Sequence, residues 1–256
     1  MTHPTRPAGF TLVEVLVVIS VLAVLIAVLL PALRSAGAAS RSLQCQSNLR
    51  QLFTAAESYS MRADGRYPVA IRYDNAGGTF TTIAWDFIQQ GGTVRPGPLW
   101  QQTIEPGDVQ QCPDCHKDST FGNDPFTGYN YNTTFIGGEA TFPSVGWANV
   151  RPGLPRMQWR RTTETAVFGD GEWRGGANKF MRAPMNTVEG NLQTVYAGGQ
   201  SFRHQGRTNV CYLDGHVGTV GTPEPGPLAT EALLSQIMGY PRNGFLSADD
   251  SAYDPR

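Results

Sequence analysis

Four cysteines, two of them in the run Cys112-Pro113-Asp114-Cys115-His116, are the residues of this 256-residue chain whose types and spacing most invite chemistry. C-x-x-C-H is the spacing of c-type haem attachment, in which two thiols take the vinyl groups and the histidine becomes an axial ligand. The chain marks no convincing second axial ligand. A redox-active pair wants a helix starting at its first cysteine; Pro113 suits that start, while the neighbouring Gly and Asp residues do not. A zinc site built from Cys112, Cys115 and His116 lacks an evident fourth ligand. A structural pairing is the simplest use. Cys45, Cys112, Cys115 and Cys211 permit two disulfides in an oxidising compartment, and one cysteine of the C-x-x-C run can reach Cys45.

A second set of polar residues lies near the C-terminus. His204 precedes Asp214-Gly215 with nine residues between them. Ten residues of extended strand cover roughly 33 Å, so His204 meets Asp214 only if the chain folds back, and Gly206 is the obvious place. Asp214-Gly215 separates Asn209–Leu213 from His216–Val220 and reads as a two-residue type I′ hairpin turn. Thr165–Gly171 reads as a strand ending in a turn, and Asp170, which closes it, can meet either His204 or Asp214. Asp170 and Asp214 are the weak metal candidates: calcium accepts carboxylates mixed with backbone carbonyls. No metal or other cofactor is expected. No Ser-His-Asp order and no paired carboxylates stand out, so no enzymatic activity is expected either.

The third notable residue is Glu14. From Phe10 to Leu30 every residue is apolar except Thr11, Glu14 and Ser20. About twenty such residues in a helix span a hydrocarbon core of about 30 Å. A carboxylate in such a segment costs roughly 2.5–3.5 kcal/mol and calls for a partner. One fitting partner is the α-amine that a cut after Gly9 would release, on this subunit or on a neighbour.

Beyond the apolar run the helical pattern continues to about Met61. Leu49, Leu52, Phe53, Ala56 and Tyr59 or Ser60 follow three-four spacing, which makes one apolar stripe able to dock on a sheet. Pro31 removes a backbone hydrogen bond and Gly37 adds slack, so a kink or local melting is expected there. Asp64-Gly65 ends the segment. Tyr67–Tyr73 and Thr79–Ile83 read as short strands, Trp85–Gln90 as one or two helical turns, and Thr127–Asn132 as a strand-like aromatic patch. Trp173–Ala183 reads as a solvated Gly-rich loop carrying Arg174, Lys179 and Arg182. Leu228–Met238 reads as a short amphipathic helix, and the Pro-ended tail as frayed.

Composition favours a loop-rich and strand-rich domain outside the cytoplasm, with few charges, 29 Gly, 18 Pro and nine Tyr. The formal net charge is −1 and the basic residues are scattered, which gives no footprint for nucleic acid. Charge asymmetry does not fix the membrane orientation. Arg6 precedes the apolar run, but Arg34, Arg41 and Arg50 follow it with no acid before Glu57.

Gly9 directly before Phe10-Thr11-Leu12, with Glu14 fifth counting from Phe10 and a long apolar run behind, resembles the class III signal of type IV prepilins and type II secretion pseudopilins. Pro31 matches that family's late helical proline. The resemblance implies cleavage between Gly9 and Phe10 by a prepilin peptidase, N-methylation of Phe10, and packing of apolar helices in a filament core. It also decides the orientation, with the C-terminal domain outside. His204 with Asp214-Gly215 is similar to the H-X9-DG domain that accompanies such signals, as are the Cys45–Gln51, Cys112-Pro113 and Gly128–Asn130 stretches. No catalytic activity comes with that domain.

The expected organisation is a leader at 1–9, a transmembrane and filament-core helix at 10–30, and its amphipathic continuation at 31–62. A β-rich extracytoplasmic domain at 63–240 and a flexible tail at 241–256 follow. The fold class expected is α+β, pilin-like, with the long helix packed on an antiparallel sheet with long loops. The expected function is that of a single-pass inner-membrane subunit joining other pilin-like subunits in a pilus or pseudopilus. The alternative is a membrane-anchored module that binds a glycan or other ligand through Tyr, Trp and Asn loops and does not polymerise.

Overall fold

A computed structural model describes residues 9, 11–75, 78–100, 107–119, 124, 126–140, 150–173, 176, 178–185 and 192–256. Its leading element is helix α1, Leu12–Ser60, 49 residues long. Pro31 lies inside α1 without ending it, and Gly37 does not melt it. The expected local melting is therefore absent; strong helix formers flank both positions, Leu29, Leu30, Ala32 and Leu33 around the proline and alanines around the glycine. At 1.5 Å per residue, α1 is roughly 74 Å long. Its large apolar side chains from Leu12 to Leu33 are exposed. By length and composition this portion is sufficient to cross a membrane.

The chain divides into two compact units, one ending at Ser40 and the other running from Arg41 to Arg256. The division therefore falls inside α1. In the second unit, α1 buries Cys45, Asn48, Leu49, Leu52, Ala55, Ala56 and Ser60, the expected three-four stripe. Gly65 N–H donates to Ser60 O and closes the helix end.

Next come β1 (Ile71–Asp74), β2 (Thr81–Ala84), β3 (Phe87–Gln90) and β4 (Thr93–Pro96), an antiparallel meander in that order. Trp85–Gln90, expected as helical turns, thus supplies β3. Its Ile-Gln-Gln pairs register by register with β2 and β4, and tertiary pairing overrides a weak local preference.

The remaining strands are β5 (Tyr129–Asn132), β6 (Gly138–Ala140), β7 (Val150–Pro152), β8 (Ala166–Asp170), β9 (Phe180–Met181), β10 (Gln200–Ser201), β11 (Thr208–Tyr212), β12 (Val217–Val220) and β13 (Asn243–Gly244). A central sheet runs β12-β11-β8-β5-β9. It is mixed rather than antiparallel throughout, because β9 joins β5 in parallel. One face packs Tyr129, Tyr131, Phe168 and Cys211 with the α1 stripe, Trp85 and Trp159. Tyr131 stacks on Phe168 at 5.1 Å between ring centroids. The other face packs Ala166, Val210 and Met181 with Tyr196, Met238, Phe245 and Tyr253. All four residues of β5 are buried, so the Tyr-Asn patch is core and not a sugar-binding surface.

Two further expectations are corrected. Residues 241–256 are not a flexible tail: β13 pairs with β10, Tyr253 is fully buried, and Asn132 Nδ2 donates to Tyr253 O at 2.9 Å. Lys179 is not solvated either. Its ammonium is buried between Asp86, to which it donates a hydrogen bond, and Asp124 at 2.8 Å. Burial opposes the ammonium, yet Asp124 and Asp86 hold its pKa above the ordinary lysine value. Arg182 is buried as well, whereas Arg174 lies outside the described residues.

Candidate functional site

The second polar set assembles through two turns. At Gln205-Gly206 both backbone φ angles are positive, +54° and +79°. His204 and Arg207 exchange N–H···O bonds of 3.0 and 3.1 Å across them. This is a two-residue hairpin turn with the conformation expected for Asp214-Gly215. The reversal turns His204 back into the protein, where it is 4% exposed. Asp214-Gly215 forms a longer loop. Tyr212 N–H donates to His216 O, Gly215 N–H donates to Tyr212 O, and only Gly215 has positive φ, +90°. A type I turn closed by a left-handed glycine fits those bonds. His204 and Asp214 thus sit at opposite ends of β11. Asp214 bonds instead to exposed His216, with Oδ1 2.6 Å from Nδ1.

His204 meets Asp170, which β8 delivers at its last position. His204 Nε2 lies 3.3 Å from Asp170 Oδ2, and His204 Nδ1 lies 2.9 Å from Asp114 Oδ2. Arg203 Nη2 stands 3.3 Å from Asp170 Oδ1, and Asn209 N–H donates to Oδ2 at 2.7 Å. Two cysteines complete the group. Cys45 Sγ from α1 lies 3.2 Å from Asp170 Oδ1, and Cys112 Sγ lies 3.7 Å from His204 Nε2. The four ligand atoms of Cys45, Cys112, Asp170 and His204 all lie within 4.8 Å of one another, and all four residues are buried.

The electrostatics follow from this packing. Burial would raise the Asp170 pKa, but Arg203, His204 and the Asn209 amide hold it below the usual carboxylate value. Burial also works against the His204 imidazolium, yet hydrogen bonds to Asp170 and Cys112 and their charges raise its pKa to about 10. The two thiols separate. A hydrogen bond from Cys45 lowers Cys112 to about 5 against its burial, while burial and that same bond push Cys45 up.

Cys45, Cys112, Cys115 and Cys211 are all free and buried in the structure. Cys112 faces Asp170 and His204, Cys115 is buried outside the group of four, and His116 is exposed. Cys115 and His116 therefore stand apart from the group that holds Cys112. Cys211 is buried on β11, where burial pushes its thiol up to about 12. Arg203, Asp114 and Arg41, which forms an ion pair with Asp114, were not singled out from the sequence. Adjacency to His204 and the place of Asp114 inside the C-x-x-C run were the available signals.

The C-x-x-C loop is shaped from outside. Gln111 Nε2 donates to the carbonyls of Cys112 and Cys115, and Gly128, with φ +106°, lies against both cysteines. A Cβ at Gly128 would collide with Cys112 Cβ and Cys115 Cβ. Gly128→Ala is expected to cost about 1–3 kcal/mol through overpacking and left-handed strain. A thermal melt indistinguishable from wild type would contradict this placement.

At the N-terminal end Gly9 is exposed, and Phe10 lies outside the described residues. Thr11 caps α1. Its N–H and its hydroxyl both donate to Glu14 Oε2 at 2.7 Å, and Glu14 N–H returns a bond to Thr11 Oγ1 at 3.3 Å. This is a capping box, readable from Thr-x-x-Glu but not anticipated. Ser20 likewise satisfies its hydroxyl on Leu16 O at 2.7 Å.

No curated protein and no solved structure matches the chain. One family model does match, the prokaryotic N-terminal methylation motif, at residues 5–30. That span takes in Gly9, Phe10, Glu14 and the exposed apolar start of α1. The chain therefore carries, at the head of its long helix, a prokaryotic N-terminal methylation motif of the type IV pilin-like prepilin kind.

Proposed function

We propose that this chain is a pilin-like structural subunit without enzymatic activity. A prepilin peptidase cuts it after Gly9, Phe10 is methylated, and the mature subunit leaves the inner membrane to join other pilin-like subunits in a type IV pilus or type II secretion-like pseudopilus. The domain from Arg41 onward lies outside the cytoplasm. The observation that carries this reading is the methylation motif on an unbroken helix whose apolar side chains from Leu12 to Leu33 are exposed. Such a surface needs lipid before assembly, and neighbouring helices can bury it afterwards.

Glu14 has two tasks in this mechanism. Its Oε2 caps its own helix through Thr11, which offsets part of the cost of holding a carboxylate in an apolar segment. The Phe10 ammonium of an adjacent subunit offsets the rest and sets the register. Glu14→Val is expected to be cleaved normally yet to abolish assembly, read as loss of sheared filaments and of crosslinked multimers. Thr11→Val separates the tasks, because it removes the hydroxyl's part in the cap at about 0.5–2 kcal/mol and leaves assembly intact. Normal filaments from Glu14→Val would remove the pairing mechanism, whereas a wild-type chain that yields neither filaments nor crosslinked multimers would favour an anchored binding module that does not polymerise.

A further inference from the structure

We propose that Cys45, Cys112, Asp170 and His204 form a closed tetrahedral site for a divalent, thiolate-preferring metal ion, zinc above all. The spacing carries the proposal. Zinc bonds of about 2.0–2.3 Å arranged tetrahedrally separate the ligand atoms by about 3.3–3.8 Å. Taking Asp170 Oδ1 as its ligand atom, the separations are 3.2 Å to Cys45 Sγ and 3.8 Å to Cys112 Sγ; Cys112 Sγ lies 3.7 Å from His204 Nε2, which is 3.3 Å from the other carboxylate oxygen, Oδ2, and one ligand atom from each of the four residues lies within 4.8 Å of the rest. All four residues are buried, as a structural site without an open position requires.

The donor set selects the ion. Two sulfurs, one imidazole nitrogen and one carboxylate oxygen suit borderline and soft metals, whereas calcium wants six to eight oxygens. Charge agrees with that choice. Two thiolates and one carboxylate against a divalent ion leave a single negative charge, which the Arg203 guanidinium faces from 3.3 Å.

The surrounding shell is also in place. A metal-bound histidine usually passes its other ring N–H to a carboxylate, and His204 Nδ1 stands 2.9 Å from Asp114 Oδ2. Asp114 is itself held by Arg41, and Asp170 is oriented by the Asn209 amide. The four ligands come from separate segments: α1, the C-x-x-C loop, the end of β8 and the turn before β11. One ion would therefore fasten the second half of α1 to the central sheet. That fastening is independent of filament assembly, so it stands or falls separately from the pilin-like reading.

The test uses the full-length chain, purified in detergent under reducing conditions. Elemental analysis should find one zinc per chain, lost from Cys45→Ser and Cys112→Ser and kept by Cys115→Ser. Cobalt in place of zinc should give a thiolate-to-cobalt band in the near ultraviolet and intense visible bands of a tetrahedral centre. Since the serine variants can fail to fold, the wild type supplies a second reading. Zinc at a hundredfold its dissociation constant should raise the melting temperature by about 5–10 °C, and a chelator should reverse the shift. Three results would overturn the site: a metal-free chain whose melt ignores zinc, zinc retained by folded Cys112→Ser, or a Cys45–Cys112 disulfide in the native protein. The disulfide would mean that two electrons and two protons had left the thiols for an envelope oxidant.

Discussion

Lys179→Met is expected to destabilise the domain by about 3–5 kcal/mol, the cost of breaking a buried ion network from one side. The substitution keeps an unbranched side chain, one heavy atom shorter, and removes the ammonium with its charge and its bonds to Asp86 and Asp124. Asp86 and Asp124 would remain with no ammonium between them, both buried. Burial already raises the Asp86 pKa to about 6 although Lys179 opposes it, and raises Asp124 in the same way. The pH dependence has a definite sign. A carboxyl whose folded pKa exceeds its unfolded value favours the folded state at low pH, and that contribution disappears as pH rises through the folded pKa. Without Lys179 both carboxyls should move higher still, so the deficit should be large at pH 8 and smaller near pH 5. Thermal melts of the full chain at the two pH values read this directly. The expected drop at pH 8 is about 10 °C, and a deficit that grows toward low pH would contradict the reading.

Tyr253→Ala should act on the other face of the central sheet. Tyr253 is fully buried three residues from the C-terminus, among Met181, Val210 and Phe245. Its hydroxyl accepts from Leu246 N–H at 2.8 Å. Emptying such a site costs about 3–5 kcal/mol from lost burial and cavity formation. The Leu246 amide is left without this acceptor, which adds to the cost. Removal of residues 249–256 should cost at least as much, since Pro255 O accepts from the amides of Arg160 and Arg161 and Asn132 also loses a partner. A truncated chain with an unchanged melt would mean that the tail only lies against the domain.

These two sites show why parts of the fold were illegible in the sequence. The second half of α1 could be read because its stripe repeats every three or four residues, and a helix presents that spacing on one face. The strands around Asp214-Gly215 were legible for the same local reason. The turn itself was not, because the bonding of Tyr212 to His216 made the loop one residue longer than the motif implies. Lys179 in a Gly-rich, charged stretch has the composition of a solvated loop. Its partners, Asp86 and Asp124, lie far away in sequence, and no spacing rule connects them. The cluster at Asp170 repeats that lesson. His204 was singled out for its spacing to Asp214, but the reversal at Gly206 gave it to Asp170 and Asp114. The C-x-x-C run drew attention to Cys112 and to its reach toward Cys45, which the structure places beside it, while also suggesting His116 and Cys115 as companions, and these lie outside the group of four. A short motif ranks nearest neighbours in sequence, whereas this fold brings the neighbours of Cys112 from α1, β8 and the turn before β11.

Assembly by this route requires a mature chain that begins at Phe10. Mass spectrometry of the N-terminal peptide from native membranes measures that point. The pilin-like reading predicts a chain starting at Phe10 with a methyl group on its amine. A chain that keeps Met1, or one that has lost the apolar segment, would contradict it.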